Sequence, residues 1–173
     1  MKRFNEGESV VYDTYGICTV ERIEKKSFAS GMPLQEYYVL SVMGSPNSTY
    51  YVPLNSEKLC SKIRYPLSVQ EIHTLLEHSA EIPCEWIENR QMRTDTFREI
   101  MQKGVSAELV ALIRCMYEKK CLNQNCGKKL SATDETLFNS AQKLLAQEFA
   151  FSLGIEENQV NDYIVNFFDG IKR

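Results

Sequence analysis

Residues 7–24 read GESVVYDTYGICTVERIE. Gly7 opens a run of apolar and aromatic residues, and a polar turn with Asp13, Tyr15 and Gly16 interrupts it. In the run that follows, Ile17, Thr19, Glu21 and Ile23 alternate with Cys18, Val20 and Arg22. Alternation on both sides of a turn is the pattern of paired strands. QEYYVLSVM (35–43) and TYYVPL (49–54) add two more aromatic and β-branched runs, set off by the turns SGMP (30–33) and GSPNS (44–48). Pro53 cannot donate a ladder hydrogen bond, so it belongs at an edge or a strand end. Four short strands at such intervals predict a small, strongly bent antiparallel sheet, barrel-like, over residues 1–66.

After RYPL (64–67) the period becomes helical. Ser68 with Glu71 three residues on forms a capping box, and Ile72, Leu75 and Leu76 follow at helical spacing. Further helices are expected over 85–104, closed by Gly104, over 106–120 with Ser106 as N-cap, over 131–154 with Ser131 as N-cap, and over 156–168. CLNQNCGKK (121–129) reads as loop. The fold class is α+β: a small N-terminal antiparallel β module followed by a compact C-terminal all-α domain over 67–173.

The 173 residues carry a net charge of −3, which supplies no global field toward nucleic acid. Any contact with DNA must be local or brought about by a partner. The start, MKRFNEGES, lacks the apolar core of a signal peptide, and no apolar run approaches the roughly 18 residues of a membrane span. A cytoplasmic location is expected, with the six cysteines reduced. Cys115, Cys121 and Cys126 lie close in sequence but lack the C-x2-C pairing of a structural zinc site. No metal and no cofactor is expected.

Catalysis is hard to assemble. His73 and His78 are five apart on a helix and share no face. Phosphate-binding, dinucleotide, hydrolase-elbow and zinc-protease motifs are all missing from the sequence. A binding module, not an enzyme, is the expectation. Trp86, the single tryptophan, lies just after Pro83 at an expected helix start. Two readings compete: an anchor of helix packing, or an exposed wedge that opens a base step while Arg90, Arg93 and Arg98 hold phosphates. Arg90 and Arg93, three apart, are expected on one face, with Glu85 and Glu88 weakening the field. Lys119, Lys120, Lys128 and Lys129 form either a second basic spot or a solvated loop.

Taken in order, these motifs resemble the CarD/CdnL family of bacterial transcription regulators. FNEGESVVYDTYGICTVERIE (4–24), EYYVL (36–40), YVPL (51–54), the single Trp86, REIMQKG (98–104) and LSATDETLFNSAQKLLAQEFAFSLG (130–154) carry the likeness. The resemblance implies a Tudor-like β module that docks on the β subunit of RNA polymerase, as in transcription-repair coupling factor. It implies a helical domain at the upstream edge of the promoter bubble, with Trp86 wedged into the minor groove. DNA contact would be weak and without a sequence-specific operator, and the open complex would be stabilised.

Carried over by position, polymerase contacts fall on Lys26, Tyr51, Val52 and Pro53, and DNA contacts on Trp86, Arg90, Arg93, Lys128 and Lys129. Tyr51 stands where actinobacterial members have arginine, and Asp13 stands where the family has proline after V-V-Y. The expected protein is a nucleoid-associated monomer. The competing reading is a protein–protein adaptor that uses the β module without DNA contact.

Overall fold

A computed structural model describes residues 3–13, 15–28 and 33–171. The chain divides into two compact units, Met1–Pro66 and Leu67–Arg173.

The first unit is a five-stranded antiparallel sheet. Its strands are β1 (Ser9–Tyr12), β2 (Ile17–Lys26), β3 (Gln35–Val42), β4 (Ser45–Pro53) and β5 (Ile63–Arg64), in the order β4-β3-β2-β1-β5. Cys18 and Val20 face the core with Phe4, Val10, Tyr38 and Leu40. A bulge between Val20 and Arg22 inserts one extra residue opposite β3 and switches the phase of β2. Ile23 therefore packs against the core and Arg22 is exposed, where strict alternation placed Ile23 opposite Val20. The β3–β4 turn is tighter than the expected 44–48, because β4 already begins at Ser45, opposite Val42. The expected 30–33 turn lies, but for Pro33, outside the described residues. A one-turn helix, α1 (Glu57–Cys60), capped by Ser56, precedes β5, and both are too short to read from periodicity.

Asp13 closes the β1–β2 turn with φ +48, a left-handed conformation that proline cannot adopt. Its N–H donates to the Lys62 carbonyl at 3.1 Å and its carboxylate pairs with the Lys62 ammonium.

The second unit is helical: α2 (Val69–Glu77), a 3-10 turn (His78–Ala80), α3 (Arg90–Lys103), α4 (Ser106–Asn125), α5 (Ala132–Leu153) and α6 (Glu157–Ile171). The Ser68–Glu71 capping box forms, and Gly104 and Gly154 end their helices at φ +65 and +66. α3 starts five residues later than expected. Asn89 accepts from the Met92 N–H and caps it there, which leaves 85–89 as an ordered non-helical segment. Val105, not Ser106, is the N-cap of α4, and α4 runs through 121–125 to its end at Cys126. Ile72, Leu76, Phe97, Leu112, Ile113, Met116 and Phe149 make the core, whereas Leu144 on α5 is exposed. No helix among the described residues is long and apolar enough to cross a membrane.

Candidate functional site

On the outer face of the sheet, the end of β2 meets β3 and β4. The Lys26 ammonium donates to the Tyr51 hydroxyl at 3.2 Å and sits 4.2 Å from the centre of the Tyr51 ring and 5.0 Å from that of Phe28. Phe28, Tyr37 and Tyr51 meet edge to face, with centroids 5.1–6.4 Å apart. Phe28 is 54% exposed, so this cation-topped aromatic patch presents apolar edges to solvent. Cation–π contact with a neighbouring hydroxyl fixes a long, flexible lysine without hiding its charge. Tyr51 thus holds Lys26 by its hydroxyl and its ring face. Phe28 and Tyr37 escape the sequence reading; Tyr37 stands in the outward phase of β3, opposite the buried Tyr38 and Leu40.

β4 is an edge strand. The Leu54 N–H donates to the Glu36 carbonyl, and Tyr38 lies opposite Val52. Antiparallel alternation then turns the backbone groups of Val52 toward β3 and those of Thr49, Tyr51 and Pro53 toward the open edge. Val52 is 1% exposed and belongs to the core, so it offers a partner neither side chain nor backbone. This corrects its place in the contact set. Pro53 has no N–H, and its carbonyl is taken by the Ser56 N–H. Tyr51 and Thr49 hold the pairing groups that remain.

In the helical unit, Trp86 lies in the segment before α3, not on the helix. It is partly buried, with its ring edge-to-face against Phe97 at 6.3 Å. The Arg93 guanidinium sits 4.3 Å from its centre and the Lys119 ammonium 5.1 Å. The structure bears out the packing anchor, and part of the indole remains open.

Arg93 is 5% exposed and does not share an outer face with Arg90. Its Nε and Nη2 donate to Asp134 at 2.9 and 3.0 Å, and its Nη1 donates to the carbonyls of Ile87 and Glu88 at 2.6 and 3.2 Å. The Ser131 hydroxyl completes the Asp134 carboxylate at 2.6 Å. Burial pushes the Asp134 carboxyl up, but bonds from Arg93 and Ser131 and the Arg93 charge bring it below the usual carboxylate range. Arg93 is therefore a clamp on the Trp86 segment and is not presented to phosphate. The sequence could not show this, since arginine is normally read as a surface residue.

The remaining cations gather at the start of α5. Arg90, exposed, donates to the Thr133 hydroxyl at 2.7 Å. Lys128 and Lys129 are exposed in the α4–α5 loop and border an open recess of about 690 Å³. Three of the acids nearby are occupied, Asp134 by Arg93, Glu135 by Lys120 at 2.9 Å and Glu88 by Lys119 at 3.2 Å, while Glu85, next to Trp86, is exposed. Among the described residues no carboxylate pairs with Arg90, Lys128 or Lys129, so a locally positive strip survives in a chain of net negative charge.

The two histidines stand apart from this strip. His73 is 2.6 Å from the Tyr163 hydroxyl, and His78 is 2.8 Å from Glu81, which raises its pKa by hydrogen bond and charge. Among the described residues no group of three or more His, Cys, Asp or Glu is placed to hold a metal ion.

Residues 4–64 match the family model described as "CarD-like/TRCF RID domain", and residues 72–165 match "CarD, C-terminal domain". The chain belongs to the CarD family. A Bacillus subtilis (strain 168) relative named "Putative transcription factor YdeB" is 28% identical over 165 residues, covering 92% of this chain and 99% of that protein. Both parts of the CarD architecture are therefore present in order, and the family is one of transcription factors.

Proposed function

We propose that this CarD-family chain is a non-catalytic regulator that docks on the β subunit of RNA polymerase and stabilises the promoter open complex. The β unit is the docking part. Its Tyr51 edge takes a strand from the polymerase, and the Lys26 ammonium on its aromatic patch meets an acidic group. The helical unit lays Arg90, Lys128 and Lys129 along backbone phosphates and presents the open part of Trp86 to the minor groove at the upstream edge of the bubble. Phosphate contact of this kind carries no sequence code, so no operator is needed. Docking supplies a high effective concentration, which lets a chain of net charge −3 act on DNA.

One observation carries this reading. The Arg93–Asp134 pair and the two carbonyls bound to Arg93 hold the Trp86 segment in a fixed non-helical form beside the unpaired cations. A wedge must be stiff, because an indole that yields on contact cannot keep a base step apart.

The adaptor reading draws on the packing of Trp86 against Phe97. Binding of the full chain to a fragment of the β subunit, and then to polymerase–promoter complexes at rising salt, separates the two. A regulator binds the fragment and gains affinity for the promoter complex that salt removes; an adaptor binds both equally at every salt.

A further inference from the structure

Two cations lie against the Trp86 ring, and they differ in what holds them. The Arg93 guanidinium, 4.3 Å from the ring centre, is buried and bound by Asp134. The Lys119 ammonium, 5.1 Å from the ring centre, comes from α4 and is partly open to solvent. It donates to the Glu88 carboxylate at 3.2 Å. Glu88 follows Trp86 by two residues, and its backbone carbonyl is one of the two that Arg93 holds.

The Glu88–Lys119 pair is lopsided. The side chain of Lys119 is 26% exposed and that of Glu88 83%. Lys119 is seated on the indole and projects from a helix of 20 residues, while the Glu88 carboxylate stands in solvent. An ion pair with one partner so open to water is weak and screened by salt. A denser source of negative charge displaces the carboxylate.

We propose that Lys119 is a phosphate contact of the Trp86 wedge, and that Glu88 occupies it only until DNA takes its place. This rests on the wedge reading of Trp86 given above. The minor groove is about 6 Å wide, with backbone phosphates along both rims. An indole that enters it brings along an ammonium 5.1 Å from its centre, which places that charge beside a rim. Duplex DNA carries one charge per about 1.7 Å of axis, so several phosphates compete with a single carboxylate. Lys119 exchanges partners, and like-charge repulsion from the backbone turns Glu88 away. In the free chain the pair therefore holds DNA affinity down: it masks a cation, and its acid faces the incoming phosphates.

The test measures the affinity of the full chain for the cognate polymerase–promoter complex over a range of salt. Lys119→Met keeps the aliphatic cover of the indole and removes the charge, whereas Lys119→Arg keeps both. Lys119→Met should bind about threefold or more weakly at low salt, and its plot of log affinity against log salt should be shallower by about 1. Lys119→Arg should match wild type in both. Glu88→Gln should bind about twofold or more tightly, and the gain should vanish in the double variant with Lys119→Met, because both residues act through one pair. Binding of every variant to a β-subunit fragment without DNA should be unchanged.

Wild-type affinity and slope in Lys119→Met overturn the contact, and leave Lys119 a cover for the indole. A Glu88→Gln gain that persists undiminished in the double variant overturns the exchange, because Glu88 then acts by general repulsion. Trp86→Ala and Arg90→Ala measured alongside separate this inference from the proposed function. If they weaken binding and Lys119→Met does not, the inference alone fails; if all three bind as wild type, the DNA reading fails with it.

Discussion

The guanidinium of Arg93 lies 4.3 Å from the centre of the Trp86 ring while the same group is bound side-on, through Nε and Nη2, by the buried carboxylate of Asp134. One side chain thus joins the N-terminal turn of α5, the carbonyls of Ile87 and Glu88, and the indole itself. The position of Trp86 is set by a buried ion pair between residues far apart in the chain.

Arg93→Ala should destabilise the helical unit by about 3–5 kcal/mol, because it leaves Asp134 buried without its counter-charge. Arg93→Met with Asp134→Leu should recover most of that loss, yet leave the Trp86 segment without its clamp. Two units need not unfold together, so Trp86 fluorescence, which reports only on the helical unit, is the probe in urea titrations. Equal instability of the single and double variants would contradict the buried-pair account.

Acid should loosen the same clamp. A carboxyl held below its ordinary value contributes stability that is complete above the unfolded pKa, near 3.9, and is lost as pH falls through the lower folded value. The urea midpoint seen by Trp86 should drop below about pH 4 in wild type. Asp134→Asn should be less stable at neutral pH and show a flatter profile over that range.

In the β unit, Tyr51→Phe keeps the ring beneath Lys26 and loses only the hydroxyl that accepts from Lys26 at 3.2 Å, so affinity for a β-subunit fragment should change by about threefold or less. Tyr51→Ala removes the ring and should cost about 10-fold or more. Val52→Ala should lower the thermal midpoint of the unit instead, since Val52 lies in the core. Calorimetric titration beside thermal melts checks all three.

Asp13→Pro should harm the fold. Proline cannot take φ +48 or donate to the Lys62 carbonyl, a loss of about 2–4 kcal/mol. Asp13→Gly suits a positive φ, keeps the N–H and gives up only a surface ion pair, so it should stay within about 1 kcal/mol of wild type. Circular dichroism melts distinguish the two.

Much of the architecture can be read from local pattern. The aromatic alternation of 35–43 and the caps at Ser68, Gly104 and Ser131 act within a few residues, so the sequence exposes them. The β2 bulge escapes because one inserted residue leaves the composition of the strand unchanged. The start of α3 is hard to place because 85–89 is compatible with helix, and it is the Asn89 cap and the Arg93 bonds to the Ile87 and Glu88 carbonyls that keep the segment out of it. Lys26 and Tyr51 are legible through the family resemblance, but their mutual contact depends on strand register. Arg93 reads as a surface residue because its partner Asp134 is distant in the chain.

The most direct measurement is the lifetime of the open complex on a ribosomal-type promoter with the cognate polymerase, comparing no factor, wild type and Trp86→Ala. The account predicts that wild type lengthens the lifetime, and that Trp86→Ala binds polymerase as well as wild type but does not. Equal lifetimes with and without bound wild type, or full activity of Trp86→Ala, would contradict it.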